Sequence, residues 1–401
     1  MRGLNDNYVR LIFRGWMPVL VALLMFESMQ VSEPVPRVQL AATTVSEPVA
    51  QDVTFYGEGG LALHGTVLSP AGAGRRWPAL VMVAGSGPGS RNDHRGEAMA
   101  FARSGIVTLV YDKRTVGYSI FHRDYSVLAS DALAGLAVLR ARRDVDPALT
   151  GMWALSEGTW VAEIAAAREP TVAFLALVGA SGPGPARETS WEDQGQLRHN
   201  GAPESLANTI SVTGLRVLIN AGLFAEANFE PTRYLTRIHQ PVLAMWGEKD
   251  RSSPPRESSE ILQRALAGPT TIRFFPGAQH DLLRSPDGYA KLPSFADGYP
   301  NLVATWVNGL AAGAPTSSAQ QPPRQERSSI ALQPTASYES APAQLAMLAL
   351  LLLAFASYPI LAIARPRYHH NTARWPARTL AAAGVWPCWA SPRTSCSPWS
   401  A

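Results

Sequence analysis

Between Gln51 and Ala311 the chain alternates short apolar runs with longer helical ones, and this alternation constrains the fold more than any other feature. Two extended runs come first, Val53–Tyr56 and Leu61–Leu68, with Gly59-Gly60 between them as a hairpin turn. Apolar strands are then expected over Ala79–Val83, Ile106–Tyr111, Gly151–Leu155, Thr171–Val178, Val242–Trp246 and Thr271–Phe275. Helices are expected over 95–103, 127–140, 158–167, 256–266 and 301–311, with a helical stretch around Glu204–Phe224. An antiparallel start followed by repeated strand–helix units implies an α/β domain, an open, mostly parallel sheet covered by helices. Residues 185–238 interrupt the pattern and are expected to form a small cap, with Trp191, Leu215, Leu218 and Phe224 as apolar walls.

The ends have a different character. Charged residues make up only 16% of the chain, against about a quarter in ordinary soluble domains, so apolar segments must lie somewhere. Arg10 and Arg14 precede an apolar run from Gly15 to Phe26, the form of an export signal or N-terminal anchor within residues 1–30. Leu345 to Ile363 carries no charge and is followed by Arg365 and Arg367, which is expected to be a transmembrane helix. Positive flanks at both ends place them in the cytoplasm and residues 51–311 on the other side, in the cell envelope. Residues 312–344, rich in Pro, Ser and Gln, read as a flexible linker, and 364–401 as a basic tail without pattern. The net charge of +4 comes from these ends. The middle is slightly acidic, so nucleic-acid binding is excluded as a primary role. The only cysteines are Cys388 and Cys396, which excludes a structural zinc site, and no metal or cofactor is expected.

In an open parallel sheet, ligands bind beyond the C-terminal ends of the strands. After Gly151–Leu155 comes Ser156-Glu157-Gly158 at a strand-to-helix junction, in the pattern Ala154-x-Ser-x-Gly158. A serine on such a turn is held on a strained bend with its hydroxyl projecting. The same position also suits a helix N-cap. A serine nucleophile needs a base. Of eight histidines, His280 alone follows a late strand into a loop at the C-terminal edge. The base needs a carboxylate to fix its tautomer. Asp250 ends the run Trp-Gly-Glu-Lys-Asp after Val242–Trp246, with Glu248 and Asp281 as rivals. Ala84-Gly-Ser-Gly-Pro-Gly89 follows Ala79–Val83, and there the backbone N–H of Ser86, with that of Glu157, could form an oxyanion hole. Neither nucleotide-binding glycine spacing occurs in this loop, so a phosphate-binding role is set aside.

The order GSGPG, then YDKR-x-x-G-x-S, SEG, PVLAMWGEKD and PGAQH resembles the α/β-hydrolase superfamily, and most of all its bacterial carboxylesterase and dienelactone-hydrolase-like branch, over residues 51–311. The resemblance implies Ser156 as nucleophile, Asp250 as acid and His280 as base. It implies a carboxylic ester hydrolase working through an acyl-enzyme on a small-molecule ester. A serine aminopeptidase-like activity or a non-catalytic membrane-tethered binding domain are the alternatives. The sequence departs from the family pattern at Ala154, Ala84, Thr115 and Thr159.

Overall fold

The computed structural model describes residues 47–364, apart from 73, 120, 314 and 333–335. The apolar run 15–26 and the basic tail after 364 lie outside the described residues. Residues up to 334 form one compact unit and those from 335 another.

In chain order the first unit contains strands β1 (Val49–Tyr56), β2 (Ala62–Ser69), β3 (Trp77–Val83), β4 (Val107–Tyr111), β5 (Val145–Leu155), β6 (Leu175–Val178), β7 (Val242–Gly247), β8 (Thr270–Phe275) and β9 (Ser318–Ala319). They form one sheet in the order β1-β2-β4-β3-β5-β6-β7-β8-β9. β1, β2 and β4 pair antiparallel, and every later pairing is parallel. The main helices are α1 (Arg95–Arg103), α2 (Tyr125–Arg140), α3 (Glu157–Arg168), α4 (Pro185–His199), α5 (Pro255–Ala265) and α6 (Tyr299–Gly309).

The period of two along β3 sorts its side chains between two cores. Ala79, Val81 and Val83 pack with α2 and α3 residues such as Leu136 and Ile164. Leu80 and Met82 pack on the other face with Phe101 of α1 and Val303 of α6. Both faces are buried, which is why the central strands read as continuous apolar runs. α2 begins at Tyr125, two residues before its apolar face, because the Asp124 carboxylate accepts the N–H groups of Ser126 and Val127 and caps the helix.

Three regions differ from the sequence expectation. The insertion holds α4 before the expected helical stretch, and Glu204–Asn220 is three short pieces with a π-helical centre at Thr209–Gly214. Trp191, expected as a pocket wall, is buried with the Arg327 guanidinium 4.4 Å over its ring. Residues 318–329 are no free linker either. β9 pairs with β8. Further on, Arg187 of α4 donates to Ser329 Oγ at 2.6 Å and to Glu257 of α5 at 2.8 Å, while Gln325 donates to Glu257 at 2.6 Å. This strap ties α4 to α5 through polar groups, so it carried no apolar periodicity to read.

The second unit contains a helix over Ala341–Ala364. Its side chains are described from Pro342 to Ser357, with Leu345, Leu350 and Leu353 exposed. Among the described residues no helix is long and apolar enough to cross a membrane, so the transmembrane helix expected over Leu345–Ile363 is not found.

Candidate active site

β5 delivers Ser156 at its C-terminal end with φ 53° and ψ −124°, a conformation costing about 1–3 kcal/mol for a residue with a Cβ. Ser156 occupies the N-cap position of α3, yet its side chain makes no capping hydrogen bond. The N-cap alternative therefore does not account for the residue. The turn is held from its backbone: Ser156 N–H donates to the Val178 carbonyl at 3.0 Å, and the Ser156 carbonyl accepts from Thr159 Oγ at 2.7 Å. Gly158 is required here, because a Cβ would come within 2.4 Å of the Val83 carbonyl oxygen. Ala154, where the family pattern has glycine, is fully buried.

His280 and Asp250 meet. His280 Nδ1 lies 2.9 Å from Asp250 Oδ2, and Asp250 Oδ1 accepts the N–H groups of Ser252 and Ser253, each at 2.9 Å. Both carboxylate oxygens are thereby engaged and the carboxylate plane is fixed. With Nδ1–H donated to Asp250, the lone pair resides on Nε2. That atom is buried and has no hydrogen-bond partner among the described residues. The ring lies against Gly179, where a Cβ would meet His280 Cε1 at 2.5 Å. Ser156 and His280 thus flank the same Val178–Gly179 turn at the end of β6. Burial pulls the His280 imidazolium down, but the Asp250 charge and hydrogen bond outweigh it and hold the group up at about 10.

The rivals are engaged elsewhere. Asp281 pairs with Lys291 at 2.6 Å, and Glu248 faces the Gly277 N–H at 3.4 Å. Among the other histidines, His94 packs on Trp153 and His199 stacks on Tyr289.

The loop Ala84–Gly89 lies beside the serine, since a Cβ on Gly85 would sit 3.3 Å from Ser156 Cβ. It carries Ser86 N–H, while Glu157 N–H opens α3, where the first amides have no helical partner. The sequence reading missed the side chain of Glu157. Its carboxylate is 2% exposed and bonds Lys113 Nζ at 2.6 Å, Tyr118 Oη at 2.7 Å and an Arg123 guanidinium nitrogen at 2.7 Å. Burial alone would raise this carboxyl, but the Lys113 and Arg123 charges hold it below the usual carboxylate range.

The strand order, the serine on its positive-φ turn and the histidine–aspartate pair from later strand ends are the arrangement of an α/β-hydrolase fold. No family model matches the chain. An uncharacterized protein of Mycobacterium tuberculosis, Rv2307c, is 26% identical over 245 residues, 61% of this chain and 77% of that one. Among solved structures, the hypothetical protein PA2218 of Pseudomonas aeruginosa superimposes with a TM-score of 0.48 at 18% identity, covering 68% of this chain and 99% of that one. A dienelactone hydrolase from Anabaena variabilis gives 0.43 at 18% identity, covering 66% and 98%.

Proposed function

We propose that the chain is a serine hydrolase of carboxylic esters. Ser156 Oγ attacks the ester carbonyl as its proton passes to His280 Nε2, forming the Oγ–C bond and an oxyanion. Collapse expels the alkoxide, which takes the proton from His280. Water then attacks the acyl-serine, gives a proton to His280, and the carboxylic acid leaves as Ser156 regains its hydrogen. Asp250 holds the imidazole in the tautomer this needs, and the Ser86 and Glu157 N–H groups receive the oxyanion. The observation that carries the reading is the His280–Asp250 bond, with the His280 ring against Gly179 and the strained Ser156 bonded to the neighbouring Val178 carbonyl. Turnover of p-nitrophenyl esters of increasing acyl length tests it: hydrolysis lost in Ser156→Ala is expected, and hydrolysis unchanged in that variant overturns it.

A peptidase is the second reading, because Glu188 and Glu192 stand four residues apart on α4 and meet Ser253 and Ser252 after Asp250. Burial raises the Glu188 carboxyl to about 8. It is then neutral near pH 7 and a poor anchor for a substrate ammonium, which favours the ester. Aminoacyl anilides turned over faster than esters would reverse this ranking.

The catalytic unit is further proposed to be tethered outside the cytoplasm. Arginines before the apolar run 15–26 and after residue 364 support that reading. A reporter active only after export, fused after Ala311, is expected to be active, and a silent one contradicts the topology.

A further inference from the structure

We propose that Lys113 is a positioning residue that sets the oxyanion donors, a role that rests on the serine-hydrolase reading above. Its ammonium has three protons and three partners: the Gly85 carbonyl at 2.7 Å, Tyr118 Oη at 2.8 Å and Glu157 Oε1 at 2.6 Å. The Gly85 carbonyl and the Ser86 N–H belong to one peptide unit. Because that unit is planar and trans, its C=O and N–H point in opposite directions. Drawing the Gly85 oxygen onto Lys113 therefore turns the Ser86 N–H to the other side of the loop and polarises it as a donor. Two more bonds hold the same loop. Tyr118 Oη accepts the Gly87 N–H at 3.1 Å, and Lys113 N–H donates to the Gly89 carbonyl at 2.9 Å.

The other end of the cluster is the second donor. Glu157, whose carboxylate holds Lys113, Tyr118 and Arg123, is the residue whose own N–H opens α3 beside Ser156. One buried side-chain cluster thus locks the two oxyanion amides, one on the β3 loop and one on the helix, to each other. Its formal charge is also positive, with Lys113 and Arg123 against Glu157, which favours negative charge developing at the carbonyl oxygen. The side chains of Lys113 and Glu157 are engaged by each other and by Tyr118 and Arg123. Both act through backbone.

The test uses the full chain. Lys113→Met with Glu157→Gln removes the Lys113–Glu157 ion pair and leaves an amide oxygen for the buried Arg123 guanidinium. The expected result is kcat lower by about 10²–10³-fold, the range for losing an oxyanion donor. KM should stay within about threefold, and phosphonylation of Ser156 by a fluorophosphonate should slow by the same factor as kcat. A purely structural role would lower the melting temperature and leave the kinetics of the folded fraction alone. A folded double variant with wild-type kcat overturns the proposal. Should that variant fail to fold, Tyr118→Phe decides, since it keeps every charge and loses only the hydroxyl that ties Gly87 to Glu157. About a tenfold fall in kcat is expected, in keeping with a partial loss of donor orientation, and an unchanged kcat overturns the idea. Ser156→Ala run beside them separates the two levels. If it retains turnover, the serine reading itself fails. If it is dead while Tyr118→Phe and the double variant are fully active, only the role of Lys113 fails.

Discussion

Lys113 and Arg114 are consecutive residues after β4, and each forms a buried ion pair, but the two pairs face opposite ways. Lys113 reaches Glu157 and the loop beside Ser156. Arg114 reaches Asp131 of α2 at 2.6 Å and the Glu58 carbonyl at 2.9 Å, in the turn between β1 and β2, and Asp131 accepts the Glu58 N–H at 2.8 Å. One pair therefore ties backbone at the proposed reaction centre, the other ties the first hairpin to a helix. Salt-bridge chemistry alone does not distinguish them. What each charge does is decided by the peptide it holds, so variants at the site end should move kcat and variants at the hairpin end should move stability.

The same division runs along α3. Glu157 and Glu163 are both buried carboxyls on one helix. Glu157 is ionised among cations, whereas Glu163 has no hydrogen-bond partner among the described residues and burial pushes its carboxyl well above the usual range. The first belongs to the site cluster. The second is buried in the core without a partner among the described residues.

These contrasts can be broken in order of size. Asp250→Asn leaves the ring a hydrogen-bond partner of the wrong kind and should lower kcat by about 10⁴-fold, with little change in melting temperature. It should also change the pH profile. His280 acts as a base only when neutral, so wild-type kcat/KM should rise with pH beyond the ordinary imidazole range of about 6.5. With Asp250 neutralised the rise should move to lower pH. A rise at the same pH in both proteins would separate His280 from Asp250.

Arg114→Met should do the reverse. It leaves Asp131 buried without its cation, a loss of about 3 kcal/mol, while kcat of the folded protein stays within about twofold. Urea unfolding beside kcat measurement checks this, and a large fall in kcat at unchanged stability would erase the distinction between the two pairs.

Glu163→Gln should give the smallest effect. A carboxyl whose folded pKa is raised stabilises the protein fully below the unfolded value of about 4.3, and this is lost as pH rises toward the folded pKa. The non-titrating amide escapes that loss. The variant should match wild type near pH 4 and melt about 2–4 °C higher at pH 8, as for roughly 1 kcal/mol in a domain of this size. A melting difference that does not grow with pH would show Glu163 ionised in the fold.

The meeting of His280 with Asp250 was readable from local rules. Ser156, Asp250 and His280 each follow an apolar strand directly, so the sheet's period and direction bring them to one edge. The Lys113–Glu157 pair was not readable, because 44 residues separate its members and the meeting depends on β3 lying between β4 and β5. A lysine in the loop after one strand and a glutamate beside the elbow serine were the only signals. The strap was misread for a different reason. Its hold on the domain comes from Gln325, Arg327 and Ser329 meeting Glu257, Trp191 and Arg187, and polar contacts leave no hydrophobic period. Trp191 looked like a pocket wall because nothing in its own neighbourhood announces that Arg327 covers it.

The central claim is that Ser156 is a nucleophile with His280 as its base. Fluorophosphonate labelling of the full chain, followed by mass spectrometry of the proteolysed product, addresses it directly. The account predicts one phosphonyl group per chain, on the peptide containing Ser156, absent from Ser156→Ala and strongly slowed in a folded His280→Ala variant. Labelling on another residue, or labelling of Ser156→Ala at the wild-type rate, would contradict it.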